Sequence, residues 1–243
     1  MVASLAWLAA GSACARAQSP AAVPWHSGEN LEYAVKLAGL SAGTALMQVL
    51  GQEPIRGRPT WHLRFNIKGS APLGTYHVDD SDDSWMDVES LYSLHFEQHQ
   101  LQGGKATNRV YDIFPDRQVF HQLGKEEKPS VANPLDEASL FFFVRTLSLE
   151  VGREYRLDNY FDPVANPVII RVLRKDTVDV PAGRFPTIVV EPIIKTKGLF
   201  SKDGHAEIWL SDDDRRLLVQ MKTRFSIISL GLYLRKIGNG SRE

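Results

Sequence analysis

Thr177-Val-Asp-Val-Pro-Ala-Gly183-Arg-Phe185, Ile188-Val-Val-Glu-Pro192, His205-Ala-Glu-Ile-Trp209-Leu-Ser-Asp-Asp-Asp-Arg215 and Leu217-Leu-Val-Gln-Met-Lys-Thr-Arg-Phe225 decide the fold class. Four apolar, β-branched runs are separated by turn chemistry at Pro181-Ala182-Gly183, by the loop from Gly198 to Gly204, and by Ser211-Asp212-Asp213-Asp214. This is the pattern of an antiparallel meander. Nothing in it is a catalytic signature.

Working outward to the N-terminus, an apolar run (Val2 to Ala10) is followed by Ala15-Arg16-Ala17 before Gln18, which reads as a secretory signal over residues 1–17. The run is too short to span a bilayer, and no transmembrane helix is expected elsewhere. Residues 18–27 read as a linker and 28–243 as a single antiparallel β domain in the periplasm or outside the cell. The only cysteine, Cys14, would leave with the signal. Small residues precede it, but the Leu three positions before it that lipid attachment favours is missing. Disulfides and thiol chemistry are therefore not expected. With 28 Lys+Arg against 29 Asp+Glu and a pI near 6.7, no charge excess exists to hold a phosphate backbone, which argues against nucleic acid.

Leu31, Tyr33, Val35 and Leu37 alternate with polar neighbours, as do Trp61, Leu63, Phe65 and Ile67, and each set reads as a half-buried strand. Tyr92, Leu94 and Phe96 face opposite to Ser93, His95, Glu97 and His99. Turns are read at Gly39 to Gly43, from Gly51 to Pro59, at Asp79 to Asp83, at Gly103-Gly104 and at Pro115-Asp116. One element breaks the pattern. Asn133-Pro134-Leu135-Asp136-Glu137 carries helix-start signals, and Ala138 to Leu149 continues as a Phe-rich helix with little polar circumference. The expected fold is mainly β: a curved antiparallel sheet or partly open barrel with one packed apolar helix, a plug or lid over a sheet edge or barrel mouth.

Several residues could carry chemistry. Gly39-Leu-Ser41-Ala-Gly43 matches a nucleophile elbow in letters, but the elbow needs a parallel α/β sheet, and a hairpin explains both glycines. His95, Glu97 and His99 would leave one strand face at roughly 6–7 Å intervals and suit a metal, with His62 or His121 as further ligands, or they form a solvated face. Asp79, Asp80, Asp82 and Asp83 lack the spacing of a calcium loop. If the sheet curls without closing, Trp61, Trp85, Trp209 and Phe142 would line an apolar cleft for a lipid or glycan. No cofactor motif occurs.

Gly28-Glu29 with Leu31 and Tyr33, Ala42-Gly43, Asn133-Pro134-Leu135-Asp136 and its Phe-rich helix, Val180-Pro-Ala-Gly183-Arg-Phe185 and Trp209-Leu-Ser-Asp-Asp-Asp-Arg215 together resemble the exported bacterial proteins of domain of unknown function 3108. The resemblance covers nearly all of the chain after the signal. It implies a mainly antiparallel β protein of the bacterial envelope, and it implies no reaction. The reading is of a non-enzymatic envelope protein binding an apolar or amphipathic component in an aromatic cleft. The alternatives are an envelope-acting hydrolase or metal-dependent enzyme, and an interaction module of an envelope complex. Neither ligand nor oligomeric state follows from the residues.

Overall fold

The computed structural model describes residues 22–70, 74, 76–194, 205–225 and 228–239. In chain order these form β1 (Glu29–Leu37), β2 (Leu40–Ile55), β3 (Arg58–Ser70), β4 (His77–Asp87), β5 (Ser93–Gln102), β6 (Lys105–Phe114), β7 (Val119–Gln122), β8 (Glu127–Pro129), α1 (Glu137–Val144), β9 (Glu154–Leu157), β10 (Val168–Val180), β11 (Gly183–Ile193), β12 (His205–Ser211), β13 (Leu218–Phe225) and β14 (Ile228–Asn239). All strands belong to one antiparallel sheet in the order β8-β7-β6-β5-β4-β3-β2-β1-β14-β13-β12-β11-β10-β9. Two meanders are thus joined where the first strand pairs with the last, from Glu29↔Asn239 to Leu37↔Leu230. The meander expected over 177–225 is present as the end of β10 through β13, and the last described segment is the strand β14. The loop expected from Gly198 to Gly204 and the signal at 1–17 lie outside the described residues.

The sheet curls but does not close. Its edge strands β8 and β9 are not paired with each other; both are short and carry charged residues, features that discourage pairing with another chain. The gap is spanned by segments rather than strands. Leu135 N donates to Asn159 O at 2.6 Å, Phe161 N to Leu135 O at 2.8 Å, and Ser130 Oγ to Phe161 O at 2.7 Å. The Phe161 ring then packs against Phe96, Tyr111 and Phe120. Across the concave face Tyr33 Oη reaches Leu218 O at 2.8 Å, tying β1 to β13.

α1 lies in the concave face. Asp136 is its N-cap, in a capping box with Ser139, and its side chain accepts from Ser84 Oγ of β4 at 2.6 Å. Ala138, Leu140, Phe142 and Val144 are at most 5% exposed, Phe141 stacks on Phe65 of β3 at 5.2 Å, and Phe142 meets Trp25 edge-on at 5.5 Å. The C-terminal end of α1 is fixed by Arg145, whose side chain is fully buried. It donates to both carboxylate oxygens of Glu29 at 2.7 and 3.0 Å, and to Pro24 O and Arg215 O at 3.3 and 3.0 Å.

Several local expectations are corrected. The turn before β2 is Ala38-Gly39, so Gly43 sits inside a strand. A Cβ there would come within 2.0 Å of Lys68 O, so glycine serves close approach of β2 to β3. The turn expected from Gly51 to Pro59 shrinks to Arg56-Gly57, because both strands continue past the glycine and prolines at a bulge. Asp79 to Asp83 is no turn but the middle of β4. α1 starts at Glu137 behind Asp136 rather than behind Asn133, and it ends at Val144, where Arg145 turns toward Glu29. It lines the concave face instead of capping an edge. Residues 22–27, read as linker, pack inward through Trp25, which is 4% exposed.

Removing one partner of a buried ion pair leaves a charge without compensation, which costs about 3–5 kcal/mol. Arg145→Met is therefore expected to lower the urea-unfolding free energy by about that amount. The double variant Glu29→Leu/Arg145→Met should lose clearly less than the two single losses added together.

Candidate functional site

The concave face has two halves of different chemistry. Around α1 the inward positions are apolar: Leu31, Tyr33, Met47, Leu63, Met86 and Phe96 are no more than 1% exposed. Farther along the same faces of β4, β5 and β6, toward the hairpin end at Gly103-Gly104, they turn polar. Register places Phe65, Asp82 and Gln98 side by side, and Phe65 touches α1, so Asp82 and Gln98 point inward. With a period of two, Asp80, Gln100, Gln102, Thr107 and Arg109 share that face. All but Gln102, which is exposed, are half-buried, lining the mouth of the curled sheet.

The mouth carries its own network. Gln98 Nε2 donates to Asp82 Oδ1 at 3.1 Å, Arg109 Nη1 to Gln98 Oε1 at 2.5 Å and to Gln100 Oε1 at 3.2 Å, and Gln102 Nε2 to Asp80 Oδ2 at 2.5 Å. The first turn of α1 adds Glu137 beside this network. Tyr160 Oη donates to Glu137 Oε1, while Glu137 Oε2 is buried with no hydrogen-bond partner among the described residues.

Burial dominates the titration of these acids. It pushes the Asp82 carboxyl up to about 7, helped by the charges of Glu137, Asp136 and Asp80 and opposed by the Gln98 hydrogen bond. It also pushes Glu137 up to about 7, against the Tyr160 hydrogen bond that favours the anion. Asp136 is raised by burial too, although Ser139, Ser84 and Ser93 all bond its carboxylate. The raised pKa of Asp82 and of Glu137 lowers the negative charge crowded beside Asp136. The sequence pattern holds a signal for this site: the face that starts with Leu94 and Phe96 continues as Gln98, Gln100 and Gln102.

The residues singled out from sequence are dispersed. Ser41 is exposed in β2, opposite Lys36, with no helix behind it. His95, Glu97 and His99 do share the convex face of β5. His95 Nε2 and His99 Nε2 approach the two Glu97 oxygens at 3.1 and 3.3 Å, and His95 Nδ1 meets Asp112 at 2.9 Å. Among the described residues, no group of three or more His, Cys, Asp or Glu is arranged to hold a metal ion. His121 lies one strand farther on, beside Asp112. His62 stacks on Trp85 at 4.3 Å and is bonded to Glu53 and Asp83. A convex groove of about 630 Å³ runs over this area, with Arg64, Asp83, Trp85, Glu97 and His99 among its lining residues. Its ionic side chains answer one another: Arg64 and His62 with Asp83, Lys68 with Asp79, His99 with Glu97. Trp61 and Phe142 meet around Trp25 in the core, whereas Trp209 stands on the convex face, donating to Asp176 at 3.0 Å beneath Arg174 and Lys222. The four aromatics do not line a common cleft.

The two acids set a pH dependence. In the unfolded chain they ionise near 3.8 and 4.5; in the folded protein they do so near 7. The folded state therefore holds more protons in between, and stability falls as pH rises from about 4 to about 7, by several kcal/mol in total. The acids Asp83 and Asp87 are shifted down and act only below that window. Urea unfolding should show a higher midpoint at pH 5 than at pH 8, and Asp82→Asn or Glu137→Gln should flatten the difference, mostly by raising the pH 8 value.

Comparison with known proteins agrees with this architecture. A beta-barrel-like protein of domain of unknown function DUF1849 from Brucella abortus is similar at 10% identity, with a TM-score of 0.58 over 90% of this chain and 100% of that one. A candidate lipoprotein from Parabacteroides distasonis (13% identity, TM-score 0.35, 89% and 98% covered) and a candidate exported protein with a YmcC-like fold from Bacteroides fragilis (13%, 0.34, 89% and 98%) are more distant. No curated protein matches the sequence. The family described as protein of unknown function (DUF3108) matches over residues 32–235, and the chain belongs to it.

Proposed function

We propose that this DUF3108 protein is an exported, non-enzymatic envelope protein that takes a polar, glycan-type ligand into the mouth of its curled sheet. The observation that carries the reading is the inward polar patch on three neighbouring strands: Asp80 and Asp82, Gln98, Gln100 and Gln102, Thr107 and Arg109. Carboxylate, amide, hydroxyl and guanidinium groups converging on one concave surface match the alternating donors and acceptors of sugar hydroxyls. An acyl chain fits less well, because the apolar half of the concave face is covered by α1. The envelope location rests on the signal pattern at 1–17. No helix among the described residues is long and apolar enough to cross a membrane.

A hydrolytic reading has one observation in its favour. Asp82 and Glu137, held protonated near neutral pH, have the character of a general acid. Binding without turnover separates the two readings.

Calorimetric titration with soluble peptidoglycan fragments and with chitotriose is expected to show saturable binding and no release of reducing ends. The double substitution Gln98→Ala/Gln100→Ala should weaken binding at least about tenfold, as expected when a ligand loses hydrogen bonds of about 1 kcal/mol each. Binding left intact by that variant would remove the mouth as the site, and steady release of reducing ends abolished by Glu137→Gln would establish the hydrolase instead.

A further inference from the structure

On the convex face of the other half, β1, β14 and β13 lie side by side, and register places Lys36, Gly231 and Lys222 in one row across them. Adjacent strands lie about 4.8 Å apart, so the two lysines stand roughly 10 Å apart at their backbones with glycine between. The gap at Gly231 is filled by Tyr233, two residues on. A Cβ at position 231 would come within 2.7 Å of the Tyr233 ring, so that ring lies over the glycine. Lys36 Nζ is 5.1 Å and Lys222 Nζ 5.9 Å from the ring centroid. Around them is a groove of about 530 Å³, with Gly39, Glu191, Glu207, Ser229 and Leu230 also in its wall.

The charges here, unlike those over β3 to β5, do not answer one another. Glu207 is the cross-strand neighbour of Lys222, but both its oxygens are taken by Arg174 at 2.7 and 2.9 Å. Glu191 meets Arg171 at 3.4 Å. Among the described residues neither Lys36 nor Lys222 forms an ion pair, and both are exposed. Two ammonium groups leaning over one ring repel each other, and an anion between them would relieve that repulsion while keeping both cation–π contacts.

We infer that Lys36, Lys222 and Tyr233 form a second binding site, specific for a phosphate group carried on a small polar molecule such as a sugar phosphate. The ammonium groups hold the phosphate oxygens as point charges, and the groove gives the attached ring room beside Tyr233. The site is remote from the concave mouth, and its occupancy does not depend on what the mouth binds.

The test uses the full chain after residue 17, with inorganic phosphate, glucose 6-phosphate and vesicles of phosphatidylglycerol as probes and glucose as control. Backbone amide shifts are followed by NMR at low and physiological salt. Glucose 6-phosphate is expected to shift β1, β13 and β14 saturably, with phosphate weaker and glucose silent. Lys36→Gln and Lys222→Gln should each weaken binding about tenfold while leaving the spectrum of the free protein folded. Binding that neither substitution weakens overturns the site, as does no binding at all. Response to phosphatidylglycerol vesicles alone also overturns it, by making this face a membrane-contact surface.

Discussion

The structure hangs on one buried contact, the guanidinium of Arg145 against the carboxylate of Glu29. Taking two charges out of water costs more than their attraction alone returns, so such a pair is better understood as a device that selects one arrangement. What it selects is specific. Glu29 opens β1, the strand through which the two meanders join, and Arg145 ends α1. Nη2 of Arg145 also reaches Pro24 O and Arg215 O, so the N-terminal segment, the helix and the β12–β13 hairpin all converge on one side chain. A helix of eight residues has little stability of its own, and its place in the concave face depends on the capping box at one end and this pair at the other.

Seating α1 there divides the concave face. The helix packs against β3 and β4 among the buried apolar inward positions and stops short of the hairpin end, where the same strand faces carry amides and acids. The acids near the helix N-terminus are crowded and partly dehydrated, which keeps Asp82 and Glu137 protonated to about pH 7. A packed apolar half next to a half-buried polar half leaves hydrogen-bonding groups at the mouth and little space for apolar molecules inside. The convex face repeats the contrast in charge: ion pairs answer one another over β3 to β5, while among the described residues Lys36 and Lys222 stand without carboxylate partners over β14.

Much of the fold was legible. Period-two alternation and turn residues marked the meander, and the Phe-rich run marked the helix, because both signals are local. The mouth was hidden for a physical reason. Asp79 to Asp83 looks like a solvated turn until tertiary pairing holds it as strand β4 and sends Asp80 and Asp82 inward. Gln98, Gln100 and Gln102 follow Leu94 and Phe96 on one face, but polar residues on an inward face are recognised only once the curl shows which side is concave. Arg145 was hidden in the same way, since an arginine behind an apolar run reads as exposed until its partner, Glu29, is brought beside it from far away in sequence. The aromatic residues misled for the opposite reason: large rings signal burial, but not which of two faces or which of two halves they occupy.

α1 thus seals the apolar half of the concave face while the polar half stays open. Titration with the apolar fluorophore N-phenyl-1-naphthylamine tests it most directly, in the folded protein at neutral pH and low salt. No saturable rise in fluorescence is expected for the native chain, with a rise appearing once Arg145→Met loosens the helix. A saturable, stoichiometric rise in the unaltered protein would contradict it, since an apolar cavity would then be open where the helix is said to lie.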